Sequence, residues 1–172
     1  MTNDIFRTNG VLASPERVSA ALAVLRVIVG ITFIAHGAQK LFVFGIDGVT
    51  AGFAQIGVPL PGIVGPLVAL VELFGGAALV AGLLTRLASA GLGVIMIGAI
   101  FLVHLPAGYF LPDGVEFAVV LLAASLTLLV AGPGLYSADA LLARRGASDR
   151  SAEPAASAWS PAHSGGGRST TS

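Results

Sequence analysis

Long apolar runs constrain this chain more than any other feature. Four stretches, at about 17–42, 61–84, 87–105 and 115–131, are almost free of charge. Each is close to the roughly 20 residues that an α-helix needs to cross the hydrocarbon core of a bilayer. Within lipid every backbone N–H and C=O must find a partner inside the protein, so only helices and closed barrels span. Barrel strands alternate polar and apolar residues over short segments, and these runs are too long and too uniform for that. Only 10% of residues are charged, against about 25% in an ordinary soluble domain, and the mean hydropathy is +0.91. The expected fold class is an all-α membrane protein, a four-transmembrane-helix bundle with the lipid bilayer as its solvent.

The connections set the organisation. Ser14 and Pro15 open the first helix as a capping side chain and a first-turn proline. Thr85 and Arg86 leave only a tight turn, so the second and third helices are antiparallel neighbours. Within the loop at 43–60, "TAGFAQIG" reads as a short surface helix with Phe53 and Ile56 inward. After Gly132, Pro133 and Gly134, residues 137–145 read as an interfacial helix capped by Ser137. Residues 1–14 form a polar cytoplasmic N-terminus, 15–145 the membrane domain, and 146–172 a disordered cytoplasmic tail rich in Ser, Ala, Gly and Pro. The N-terminus lacks the pattern of a cleaved signal peptide. Arg7, Arg17, Arg86, Arg144, Arg145, Arg150 and Arg168 fall on one side and only Lys40 on the other. The expected topology therefore has both termini cytoplasmic, in the plasma membrane.

The polar residues inside the runs are the candidates for function. Arg26 and Glu72 both count to mid-depth from their helix ends, and a lone charge there costs about 2.5–3.5 kcal/mol. They are expected to pair as an intramembrane ion pair. His36, Lys40, His104 and Glu116 gather near the outer surface as ligand or proton-relay candidates, with Asp113 read as a helix cap. Arg26, His36 and Lys40 share one stripe of the first helix. Two histidines and a carboxylate are a common metal set, but no HxxxH or ExxH spacing supports one, and no metal is assigned. A histidine beside a carboxylate suits a quinone or another polar-headed lipophile instead. "VGITFIAH" at 29–36 echoes "IGAIFLVH" at 97–104, and "VEL" at 71 echoes "VEF" at 115. The two hairpins thus read as parallel repeats that put both histidines at similar depth. Gly37, Gly75 and Gly76 let helices approach closely.

Other chemistries are excluded. With no cysteine, the chain has no disulfide, thiolate nucleophile or CxxC site. Neither GxGxxG nor GxxxxGK[ST] occurs, and zero net charge argues against nucleic acid. No firm catalytic residue and no covalently bound cofactor are assigned.

"HGAQKLF", "GVPLP", "VELFGGAALVAGLLTRLAS", "VHLPAGYFLPDGVEF" and "GPGLYSAD" follow one another across about 22–142. In that order and spacing the chain resembles the DoxX family of small four-helix membrane proteins. Arg26, His36, Gly37, Lys40, Glu72, Gly75, Gly76, His104, Gly114 and Glu116 carry the resemblance. Val115 departs from it, since relatives often have a small residue there. The resemblance implies a membrane subunit of a quinone-linked or oxidative-stress redox system, working with a cofactor-bearing partner. Two other readings stay open: a small-solute or proton transporter, and a non-catalytic anchor for soluble partners.

Overall fold

The computed structural model describes residues 14–152, with side chains to 148. The polar start at 1–13 and the tail at 153–172 lie outside the described residues. Among the described residues every regular element is helical: α1 Pro15–Ala38, α2 Gly45–Gln55, α3 Pro61–Ala81, α4 Thr85–Ala99, α5 Glu116–Ala131 and α6 Ala138–Ala152. Two π-helical segments prolong α1 and α4, at Gln39–Phe44 and Ile100–His104. Three helical stretches are long and apolar enough to cross a membrane, beginning at Pro15, Pro61 and Thr85. The 16-residue α5 is apolar but shorter.

Local chemistry explains the ends. Ser14 Oγ accepts the Arg17 N–H at 3.4 Å, with Pro15 at the first helical position. α3 stops at Gly82, whose φ of +70° suits a residue without Cβ. A Cβ there would also run into the Arg26 guanidinium and lie 2.7 Å from Ser137 Cβ. α5 begins without a side-chain cap, so Asp113 does not have the capping role expected for it. α6 is capped by Ser137, whose hydroxyl accepts the Ala140 N–H at 3.1 Å and donates to the Gly134 carbonyl at 2.8 Å. It runs to Ala152, past the expected end at Arg145. A single Gly146 costs only about 1 kcal/mol in a helix, and Ser148 Oγ donates to the Arg144 carbonyl at 3.2 Å.

The helices form two antiparallel hairpins, α1 on α3 and α4 on α5, set side by side. Val29 and Phe33 of α1, Leu79 of α3, Leu92 and Met96 of α4, and Leu121 and Leu128 of α5 fill the space between them. The opposite faces, with Ile28, Phe74, Leu87 and Val130, are exposed and apolar, the pattern of surfaces that face lipid. At one end of the bundle lie the α3–α4 turn and the α5–α6 connection; we call this the turn end. The other, the loop end, carries α2 and residues 105–115.

Backbone contact sets the α1–α3 register. A Cβ at Gly30 would lie 2.7 Å from the Gly76 carbonyl oxygen, and one at Gly76 would lie 2.6 Å from the Gly30 carbonyl oxygen. A Cβ at Gly37 would meet Leu73 N at 2.5 Å. Gly75 faces Leu92 Cγ at 3.3 Å and so packs on α4 instead. Gly98, by contrast, faces open space.

α6 is pinned to the turn end by Asp139. Its carboxylate accepts the Leu84 N–H at 2.8 Å and the Thr85 N–H at 3.0 Å, capping the N-terminus of α4 from another helix. Its own N–H donates to the Gly82 carbonyl at 2.9 Å.

Gly76→Val should destabilise the bundle by about 1–3 kcal/mol through overpacking, whereas Gly98→Ala should be neutral or stabilising; thermal unfolding in detergent compares them. Asp139 gives a second expectation. Partial burial raises its pKa, but the Thr85 and Leu84 N–H groups, the adjacent Thr85 side chain and the Arg26 charge outweigh that and hold it below its ordinary value. A depressed carboxylate stabilises fully above its unfolded pKa of about 3.9 and loses that contribution as pH falls through the folded value. The melting-temperature difference between wild type and Asp139→Asn should therefore be constant above about pH 5 and shrink below about pH 4.

Candidate functional site

Apolar helices that bury only one face leave a gap wherever glycines and π segments interrupt their packing. Such a gap lies between the hairpins at the loop end. It is a cavity of about 880 Å3, with walls from α1 to α5. Its lining is mainly aliphatic and aromatic, including Phe33, Phe44, Val68, Ile95, Phe117 and Leu121. Four ionisable side chains also line it: His36, Lys40, Glu72 and His104. The size and the few convergent polar groups are those of a small-molecule site.

Lys40 and Glu72 make the central contact. Lys40 Nζ donates to Glu72 Oε2 at 2.6 Å, with the two side chains 20% and 4% exposed. Glu72 therefore does not pair with Arg26. With ends aligned as the apolar runs suggest, Glu72 would sit opposite Gly30. The glycine contacts instead place the Glu72 level of α3 beside His36 and Gly37. The shift is about six residues, or roughly 9 Å at 1.5 Å per residue. Its cause is main-chain contact at the glycines, which fixes the register independently of where the apolar runs end; the π segment carries α1 only to Phe44, two residues past the expected end.

Arg26 is buried at the turn end. Its Nη1 donates to the Pro133 carbonyl at 3.2 Å and its Nη2 to the Tyr136 carbonyl at 2.7 Å. It is also within electrostatic reach of Asp139. The guanidinium thus ties α1 to the α5–α6 connection. Asp139 escaped the sequence reading because an acid in the first turn of a polar helix looks like a response to that helix's own dipole.

The histidines meet at the cavity. The His36 ring lies 6.0 Å from that of Phe117, tilted by 45°. Electrostatic coupling links it to Lys40 and His104. Its nitrogens have no hydrogen-bond partner among the described residues. His104 Nδ1 is 2.8 Å from the Asp113 carbonyl oxygen. A carbonyl only accepts, so Nδ1 carries the hydrogen and neutral His104 keeps a lone pair on Nε2.

Glu116 has a different task. Its Oε1 accepts the Leu111 N–H at 2.8 Å, bracing the loop at 105–115, and it does not line the cavity. Both histidines of the internal echo line the cavity, whereas its two carboxylates part. Glu72 lies about three turns into α3, whereas Glu116 opens α5. On α2 the buried residue is Val49, against Gly65, while Phe53 and Ile56 face the cavity without being buried. Among the described residues no three potential metal ligands assemble.

The fold and this cavity define a small helical membrane protein with an apolar site between two hairpins. A family model described as DoxX matches residues 21–105. The chain is 36% identical over 115 residues to "Putative oxidoreductase CatD" of Bacillus subtilis, covering 67% of this chain and 81% of that one. It is 32% identical over 132 residues to an uncharacterized membrane protein of Mycobacterium tuberculosis, covering 70% and 80%. An uncharacterized protein of Haemophilus influenzae is 33% identical over 122 residues, covering 69% and 87%. No solved structure matches significantly. The chain belongs to the DoxX family.

Lys40→Met should strand the Glu72 carboxylate and lower stability by on the order of 3 kcal/mol, while Lys40→Met with Glu72→Leu should recover most of the loss. Thermal unfolding in detergent, read as a double-mutant cycle, measures the coupling.

Proposed function

We propose that the protein is the membrane subunit of a redox system and that the cavity receives a quinone or a similar polar-headed lipophile. The supporting observation is the combination of a large apolar volume with polar groups gathered on its wall. Lys40 and Glu72 neutralise each other, so with neutral histidines the lining has no net charge and favours an uncharged, hydrogen-bonding head. His104 Nε2 is an acceptor suited to a ring hydroxyl. Lys40 retains donors for a ring carbonyl. His36, without a partner of its own, offers a ring nitrogen for a hydrogen bond to the head. A bound quinone would supply the electron chemistry, and electrons would come from a partner bearing a second cofactor. The oxidoreductase name of the Bacillus relative supports this direction. Arg17, Arg86, Arg144 and Arg145 flank the turn end. We place that end in the cytoplasm and the cavity toward the outer leaflet of the plasma membrane.

The test is binding of a short-chain ubiquinone or menaquinone analogue to the purified protein. Wild type should bind saturably, His36→Ala and His104→Ala should weaken binding at least about tenfold, or about 1.4 kcal/mol, and Glu116→Gln should bind like wild type. Absent binding, or binding indifferent to both histidine changes in folded protein, sinks the redox reading.

A further inference from the structure

The turn half of the bundle, away from the cavity, holds polar atoms that no function yet uses. Ser89 and Ser125 are 1% and 0% exposed, and neither hydroxyl has a hydrogen-bond partner among the described residues. Arg26 Nε has none either, and the buried Thr85 Oγ1 lies beside the Asp139 carboxylate rather than on a helix carbonyl. A buried hydroxyl without a partner costs about 1–3 kcal/mol. A helix offers a ready remedy, the carbonyl one turn earlier. Thr32 and Thr127 take it, donating to the Ile28 and Ala123 carbonyls at 3.0 and 2.8 Å. The fully buried hydroxyls do not.

Their placement forms a track. Thr85 sits beside Asp139 at the turn end. Ser89 follows one turn along α4, and Gly93 one turn beyond it. Gly93 faces Ser125 of α5, with 3.9 Å between an added Cβ and Ser125 Cβ. The absent side chain leaves space beside a hydroxyl that needs a partner, which is where internal water is found. One further turn along each helix reaches Met96 and Leu121, both 6% exposed and both lining the cavity. The polar track therefore stops one turn short of the cavity floor.

We propose that Thr85, Ser89 and Ser125 hold internal water and form a proton half-channel from the turn end to the cavity, with Met96 and Leu121 as its plug. Protons pass between neighbouring waters and hydroxyls, so no electron moves and only O–H bonds, and the N–H bond formed when His36 accepts, are exchanged. His36 and Glu72 are the bases above the plug. The track does not depend on the cavity's ligand being a quinone; it connects whatever occupies that cavity to the opposite face.

The plug gives the test. Met96→Ser should raise pH-gradient-driven proton entry into pyranine-loaded proteoliposomes at least about tenfold over wild type, since it bridges the one-turn gap. Adding Gly93→Ala, whose methyl fits without collision but takes the water's space, or Ser89→Ala with Ser125→Ala, should return the flux to the wild-type level. A Met96→Ser protein as proton-tight as wild type overturns the proposal, as does a leak that neither addition reduces. If Met96→Ser does not fold, X-ray radiolytic labelling of wild type decides. Bound water should label the fully buried Leu92 and Leu128, and Ser89→Ala with Ser125→Ala should remove that labelling. Unlabelled leucines, or labelling unchanged in the variant, mean a dry track and end the idea.

Discussion

The contact of α1 with α3 at Gly30, Gly37 and Gly76 determines where the functional side chains lie. In lipid there is no hydrophobic force to press two apolar helices together, so close backbone packing must hold them. Glycine at these positions lets main chain meet main chain, and one register follows. That register puts Lys40 against Glu72 and carries Arg26 to the turn end, beside Gly82. A different set of glycines would have produced different ion pairs from the same charged residues.

The charges obey one rule in two places. Each that enters the apolar zone is met by a polar partner from another part of the chain. Arg26 is met by the carbonyls of Pro133 and Tyr136, which the Gly132–Pro133–Gly134 break frees from helical bonding. Glu72 is met by Lys40. Asp139 completes the turn end by capping α4 from a neighbouring helix. The α3–α4 turn, the α5–α6 connection and the middle of α1 are thereby joined at one polar junction. The loop end has no such junction. It holds the cavity, and both helices that run toward it finish in π segments carrying Lys40 and His104. Such segments often accompany functional sites because they turn side chains out of the regular helical row.

Much of this was legible in the chain. The apolar lengths demanded membrane helices, the Ser14 and Ser137 caps appeared from their local pattern, and His36 and His104 were recognisable as partners through the shared GxxFxxH spacing. Glu72 was recognisable as an ionisable group inside the bilayer, but its partner was not. Counting from helix ends assumes that the ends align, whereas main-chain contact at Gly30, Gly37 and Gly76 sets the register. Glu116 looked like a member of the site because it adjoins His104 across a short loop. Its carboxylate instead closes on the Leu111 N–H five residues before it, a choice made by the fold of that loop.

The sequence by itself determined the solvent of this protein, the number of its apolar helices and the inventory of polar groups they carry. Runs of that length and composition have a single solution in lipid, a helix satisfied by its own hydrogen bonds. Only the tertiary structure decided which charges pair, which histidine nitrogen is left open and where the cavity lies. Those outcomes depend on the register between helices. That register is set by backbone contact at a few glycines, which leaves no periodic signal along the chain.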